Sequence, residues 1–98
     1  MDKSDKTWKD PSTAQLIRVL TAIKDPGSMQ KFLRDVMTES EIAEVSARLE
    51  AARMLASGAK YTEVIESTKL SSRTVARISS WMQNGTGGYA AALKNIQG

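Results

Sequence analysis

Side chains that can hold a phosphate group or a base edge are concentrated in one stretch of this chain. Guanidinium groups donate two parallel hydrogen bonds to guanine or phosphate, whereas ammonium and hydroxyl groups suit single phosphate contacts. The stretch therefore predicts contact with a polyanion. The candidate residues are Lys60, Tyr61, Thr62, Lys69, Ser71, Ser72, Arg73, Thr74 and Arg77.

Two short helical patterns joined by a tight turn must position these side chains. Val64 and Ile65 are the apolar residues of the first pattern, and Val75 and Ile78 belong to the second. Two helices that cross steeply could close one small core with them. This spacing predicts a helix-turn-helix over residues 61–83, with its second helix offered to the major groove of DNA. An ordinary pair of bundle helices would give a similar pattern.

The turn departs from the usual motif in two places. Lys69 stands where glycine is usual, because one residue of the turn tends towards left-handed angles. Ile65 stands where a small residue usually follows the first buried position. Beyond the turn, Ser71 is the expected N-cap of the second helix, and we expect Arg73 to contact a base. A solvated surface position is the alternative for each basic residue.

The net charge is confined to the half of the chain that contains this motif. Up to Ser57 nine basic and nine acidic side chains cancel, whereas from Gly58 onward five basic side chains face two acidic ones. The whole net charge of +3 therefore lies in the second half. Binding to a polyanion predicts such a distribution.

The composition excludes several other classes of site. The chain has no Cys and no His, so it lacks disulfides, the usual zinc ligands, thiol nucleophiles and imidazole bases. No pair of acids falls on an apolar face, and we expect neither catalysis nor a metal site. No apolar run is long enough to span a bilayer and no signal peptide is evident, which predicts a cytoplasmic protein.

The remaining sequence predicts an all-α fold of about six helices. We expect a flexible N-terminal arm over residues 1–11 and a single helical domain over residues 12–98. In that domain residues 12–57 would form a dimerisation body and residues 88–97 a C-terminal bracing helix. A capping box at Ser12, the Asp25-Pro26 pair and a second capping box at Thr38 start the three helices of the body. Gly58 ends the third.

The body carries more apolar side chains than three short helices can bury among themselves. We therefore infer a homodimer whose N-terminal halves interlock. A two-fold dimer would also space two recognition helices to match successive major grooves.

The order of these parts resembles the Trp repressor superfamily, and within it the branch called YerC/YecD-like. The resemblance covers roughly residues 29–96. It rests on FLRDVMTESEIAEVSARLEAARMLASG, the turn with SSRTVARIS, and NGTGGYAAALKNI. It implies an intertwined, all-helical homodimer that binds double-stranded operator DNA and regulates transcription, acting as a repressor.

The resemblance also implies an effector site. In the tryptophan-sensing members two arginines and a threonine line the effector pocket, and Thr38, Arg48 and Arg77 align with them. However, Ile78 stands where those members have glycine, and its branched side chain would fill the space that the indole needs. This argues against a tryptophan-like effector. Arg48 could instead pair with Glu44 along its own helix.

A second functional hypothesis is a helical dimer that serves as a protein-interaction module, with a degenerate helix-turn-helix. Lys69 in the turn and the acidic residues Glu63 and Glu66 in its first helix favour that alternative.

Overall fold

The structure is a computed structural model that describes residues 3–97, with the side chains of residues 6–96. All the regular secondary structure over those residues is helical, which confirms the all-α fold. The described chain contains seven helices rather than about six, and it divides into two compact units, with the boundary in the chain after Thr38. The helices are α1 (Lys3–Lys9), α2 (Pro11–Ala22), α3 (Pro26–Val36), α4 (Glu39–Ala56), α5 (Tyr61–Thr68), α6 (Ser72–Asn84) and α7 (Gly88–Gln97).

The N-terminal segment differs from the flexible arm that the sequence predicts. Residues Lys3–Lys9 form helix α1, which packs on α2. Helix α2 begins at Pro11 rather than after a cap at Ser12, because Asp10 is the N-cap. Its Oδ2 atom accepts a hydrogen bond of 3.2 Å from the backbone N–H of Thr13. Proline suits the first helical position, where its missing N–H has no partner to lose.

The same Asp-Pro signal begins α3, as the sequence predicts. Oδ2 of Asp25 accepts hydrogen bonds from the backbone N–H and the hydroxyl of Ser28, at 2.9 and 3.1 Å. Pro26 is the first residue of the helix.

The helices of the first unit have no buried interior of their own. None of the described side chains from residue 6 to residue 38 is buried. Leu16, Ile17 and Val36 are 43%, 42% and 55% exposed. Other apolar side chains are half-buried, namely Val19, Leu20, Ile23, Met29, Phe32, Leu33 and Met37. Covering these side chains would be favourable, at about 25 cal/mol per Å² of apolar surface removed from water.

The second unit contains the buried core, and α4 belongs to it. Helix α4 packs against α5, α6 and α7, so the predicted body of residues 12–57 and the single domain of residues 12–98 are both divided at Thr38. The small side chains of Ala51 and Ala52 are fully buried and allow the neighbouring helices to approach closely. The core residues are Ala51, Ala52, Val64, Val75, Ile78 and Leu93.

A left-handed glycine ends α4 and directs the chain into the motif. Gly58 has φ 93°, and its N–H donates to the carbonyl of Leu55 at 3.0 Å. The next N–H, that of Ala59, donates to the carbonyl of Met54 at 3.0 Å. This pair of bonds is the Schellman motif. At the other end of the unit, α7 contributes the buried Leu93 and packs on α6 and α4. It occupies the residues predicted for a bracing helix.

Among the described residues no helix combines the length and the apolar character needed to cross a membrane.

Candidate nucleic-acid interface

Helices α5 and α6 cover residues 61–84 and form the helix-turn-helix that the sequence predicts over residues 61–83. Val64 on α5 and Val75 and Ile78 on α6 are at most 1% exposed, and they share one core. Because these three residues face inward, the polar residues between them face outward. The second helix is therefore fixed on one side and open on the other.

The turn holds a lysine in the conformation that usually selects glycine. Lys69 has φ 65° and ψ 12°, and its N–H donates to the carbonyl of Ile65 at 2.8 Å. Thr68 supports the turn on both sides. Its hydroxyl donates to the carbonyl of Val64 at 2.7 Å and accepts from the N–H of Leu70 at 3.3 Å. The side chain of Lys69 is exposed. Ile65, the other departure from the usual motif, is half-buried against the core.

The hydroxyl groups at the start of α6 have two different environments. Ser71 is the N-cap, and its Oγ accepts from the N–H of Thr74 at 3.1 Å and donates to the hydroxyl of Thr74 at 3.0 Å. These two hydroxyls thus stabilise the helix start. Ser72 and Arg73 occupy the first helical positions, and both are exposed.

The guanidinium of Arg73 has no ion pair or hydrogen bond with any residue that the structure describes. The backbone N–H groups of a first helical turn have no partner inside the helix, and they form the positive end of its dipole. Only the N–H of Thr74 is used by the cap. An exposed arginine and free N–H donors therefore meet at the open side of the motif.

Arg77 follows one turn after Arg73 and is stacked on an aromatic ring. It is exposed, and its Cζ atom lies 5.8 Å from the centroid of the indole of Trp81. The indole is 49% exposed. Sequence reasoning did not identify this contact, although the spacing of four residues between an arginine and a tryptophan on one helix was a signal for it.

The flanking candidates lie at the start of α5 and in the turn. Lys60 is the N-cap of α5, and its backbone N–H donates to Oε1 of Glu63 at 2.9 Å. The carboxylate of Glu63 thus stabilises the start of its own helix, which explains an acidic residue in this motif. The side chains of Lys60, Tyr61 and Thr62 are exposed. All nine predicted contact residues belong to the second unit.

The three residues of the implied effector site have a different distribution. Thr38 belongs to the first unit, and Arg48 and Arg77 belong to the second. Arg48 donates to Oε1 of Glu44 at 3.0 Å, which is the pairing along the helix that the sequence indicated. Ile78 is 1% exposed, so its side chain is part of the core, as the spacing predicts.

One ion pair on α4 has a clear electrostatic consequence. Nε and a terminal nitrogen of Arg53 each donate to a carboxylate oxygen of Glu50 at 2.7 Å. These hydrogen bonds lower the pKa of Glu50 below its ordinary value and raise the pKa of Arg53. The pair lies on the surface and outside the motif.

Three comparisons with known proteins agree with this geometry. The family model described as Trp repressor protein matches residues 12–97. The "Uncharacterized protein YerC" of Bacillus subtilis (strain 168) is 31% identical over 83 residues, which are 85% of this chain and 80% of that protein. A crystal structure of a TrpR like protein from Eubacterium eligens ATCC 27750 superposes with a TM-score of 0.87 and 28% identity. That match covers 94% of this chain and 95% of that one.

The solved relative thus matches most of this chain, and the family model extends over parts of both compact units. Members of this family are regulatory helix-turn-helix proteins that bind DNA rather than enzymes. The chain belongs to the Trp repressor family, in its YerC-like branch.

Proposed function

We propose that this protein is a cytoplasmic transcriptional regulator that binds specific duplex DNA as a homodimer and acts as a repressor. The observation that carries the proposal is the start of α6. There the exposed and unpaired Arg73 stands beside Ser72 on the side opposite the buried Val75 and Ile78. A helix held in this way can enter the major groove with its N-terminal residues first.

The exposed side chains contact different parts of the DNA. Arg73 reads a base edge, because its fork matches O6 and N7 of guanine. Ser72 and the free N–H groups of the first turn contact a phosphate or a neighbouring base. Lys60, Tyr61, Thr62 and Lys69 flank the recognition helix and contact the phosphate backbone, and Arg77 follows one turn later on α6. Ser71 and Thr74 act chiefly by fixing the helix start through their mutual hydrogen bond.

The first unit supports the dimer. Its described side chains include many half-buried or exposed apolar groups and none that is buried. In a symmetric homodimer, a second copy of the chain would cover these apolar side chains. Two helix-turn-helix motifs related by a two-fold axis would then meet half-sites about 34–36 Å apart.

Binding should not require tryptophan. Ile78 fills the core where the tryptophan sensors have glycine, and Arg48 is already paired with Glu44. We expect added tryptophan to leave the affinity for the operator unchanged, and other amino acids can be screened in the same assay.

The test begins with selection of bound sites from random duplex DNA, with and without amino acids. The affinity for the selected site is then measured by fluorescence anisotropy against salt. We expect binding that weakens steeply with salt, at about 0.9 log units per log unit of salt for each phosphate contact. The Ser72→Ala/Arg73→Ala variant should lose about 10-fold or more for the selected site, since one bidentate contact is worth about 1–3 kcal/mol. Lys94→Ala removes an exposed charge on α7 and is the matched control.

Three results would contradict the proposal. Equal binding by the double alanine variant would show that α6 does not read DNA. A solution mass of one chain would exclude the dimer. If no duplex shifts even at low salt while another protein co-purifies, the protein-interaction module becomes the better function.

A further inference from the structure

We infer that Trp81 is a positioning residue for DNA binding, which holds the guanidinium of Arg77 ready for a phosphate at the rim of the major groove. The inference rests on the proposed function. It starts from the one aromatic–cation contact in the described part of the chain, at 5.8 Å between Cζ of Arg77 and the indole centroid.

Both members of the pair are on the surface. Trp81 is 49% exposed, and it lies on the flank of α6 next to the buried face to which Val75 and Ile78 contribute. The half of this large aromatic side chain that is left in water presents a flat face on which an arginine can lie, and arginine stacks readily on tryptophan.

Among the residues that the structure describes, no acidic side chain is paired with Arg77. The ion pairs of Arg48 with Glu44 and of Arg53 with Glu50 do not include it. Its charge is therefore not neutralised, and the stacking limits where the guanidinium can lie. The side chain of Arg77 then has fewer rotamers to lose when it binds DNA, so forming the contact costs less conformational entropy.

The position along α6 selects phosphate rather than base as the partner. At 1.5 Å per residue, Arg77 lies about 6 Å and Trp81 about 12 Å along the axis from Arg73. The major groove is about 8.5 Å deep. When the first turn of α6 meets the base edges, Arg77 is near the groove rim and Trp81 is outside it. Trp81 thus acts on DNA through Arg77.

The experiment is a double-mutant cycle on the full-length protein, with the duplex obtained by selection. The variants are Trp81→Leu, Arg77→Ala and their combination, with Trp81→Phe as the conservative variant and Gln83→Ala as an exposed control on the same helix. An exposed cation–π contact corresponds to about a threefold change for each helix, hence about tenfold for a dimer. We expect Trp81→Leu to weaken binding about tenfold in the parent, but less than twofold when Arg77 is already alanine. Trp81→Phe should retain part of the affinity.

Two further readouts separate positioning from folding. Trp81→Leu should reduce the salt dependence as Arg77→Ala does, by up to about 0.9 for each phosphate that the variant no longer binds. In a Trp8→Phe background the emission of Trp81 should change on Arg77→Ala without DNA. Equal losses for Trp81→Leu in both Arg77 backgrounds, or no loss, would overturn the inference while leaving the proposed function intact. A parent protein that binds no duplex would overturn both.

Discussion

Replacing Lys69 by glycine should stabilise the protein, although it removes a side chain and a charge. Lys69 has φ 65° and ψ 12°, and it is the only non-glycine residue with positive φ in the described chain. The left-handed conformation costs an L-residue about 1–2 kcal/mol. Glycine avoids that cost. Its greater conformational entropy in the unfolded chain reduces the resulting stabilisation by about 0.5–1 kcal/mol.

The net gain for Lys69→Gly should be about 0.5–1 kcal/mol, because the Cβ penalty exceeds the entropy of glycine. For a domain of this size that gain raises the Tm by about 2–8 °C. The assay is thermal and urea unfolding followed by circular dichroism at one fixed protein concentration. The concentration matters because the stability of a dimer depends on it.

Lys69→Ala is the matched control for this prediction. Alanine also removes the charge but keeps the Cβ atom, so its stability should stay near that of the parent. In the DNA assay the two variants should behave alike, because both lose one ammonium group next to the phosphate backbone. A Lys69→Gly protein that melts at or below the temperature of Lys69→Ala would refute the assignment of strain to this turn.

Three other predictions concern the second unit. Ser71→Ala should destabilise the protein by about 1 kcal/mol through loss of the N-cap of α6, measured by urea unfolding, and a cost near zero would contradict the cap. Ile78→Val should cost about 0.5–1.5 kcal/mol in the same assay because the side chain is fully buried, whereas unchanged stability would place it outside the core. The lowered pKa of Glu50 stabilises the fold above the ordinary pKa of a glutamate, and this contribution is lost as the pH falls through the folded value. The urea midpoint of the parent should therefore fall more steeply below about pH 4.5 than that of Glu50→Gln, and parallel curves would contradict the pairing with Arg53.

The helix boundaries were readable from the sequence where a local chemical signal stands at the boundary. Asp25 with Pro26 begins α3 and Gly58 ends α4, and both positions behave as cap chemistry predicts. Asp10 with Pro11 carries the same signal, but it lies in a polar segment whose weak apolar pattern favoured a flexible arm. The division at Thr38 could not be read, because it depends on which helices α4 packs against.

The candidate site was readable by residue type but not by the role of each side chain. Ser71 caps α6 as the sequence predicts, but the hydrogen bond between its hydroxyl and that of Thr74 was not predicted. The stacking of Arg77 on Trp81 depends on side-chain rotamers as well as spacing. The buried position of Ile78 was predictable because apolar periodicity alone determines it.

The first unit has a consequence for how much active protein a cell contains. A segment of three helices in which no described side chain is buried has little to gain from folding before it meets its partner. In the proposed dimer, folding of this segment and association are then one event. At low expression the amount of competent protein should rise with the square of the amount of chain made. A twofold change in the amount of chain should thus change the amount of dimer about fourfold, and with it the fraction of operator that is bound, without any small molecule.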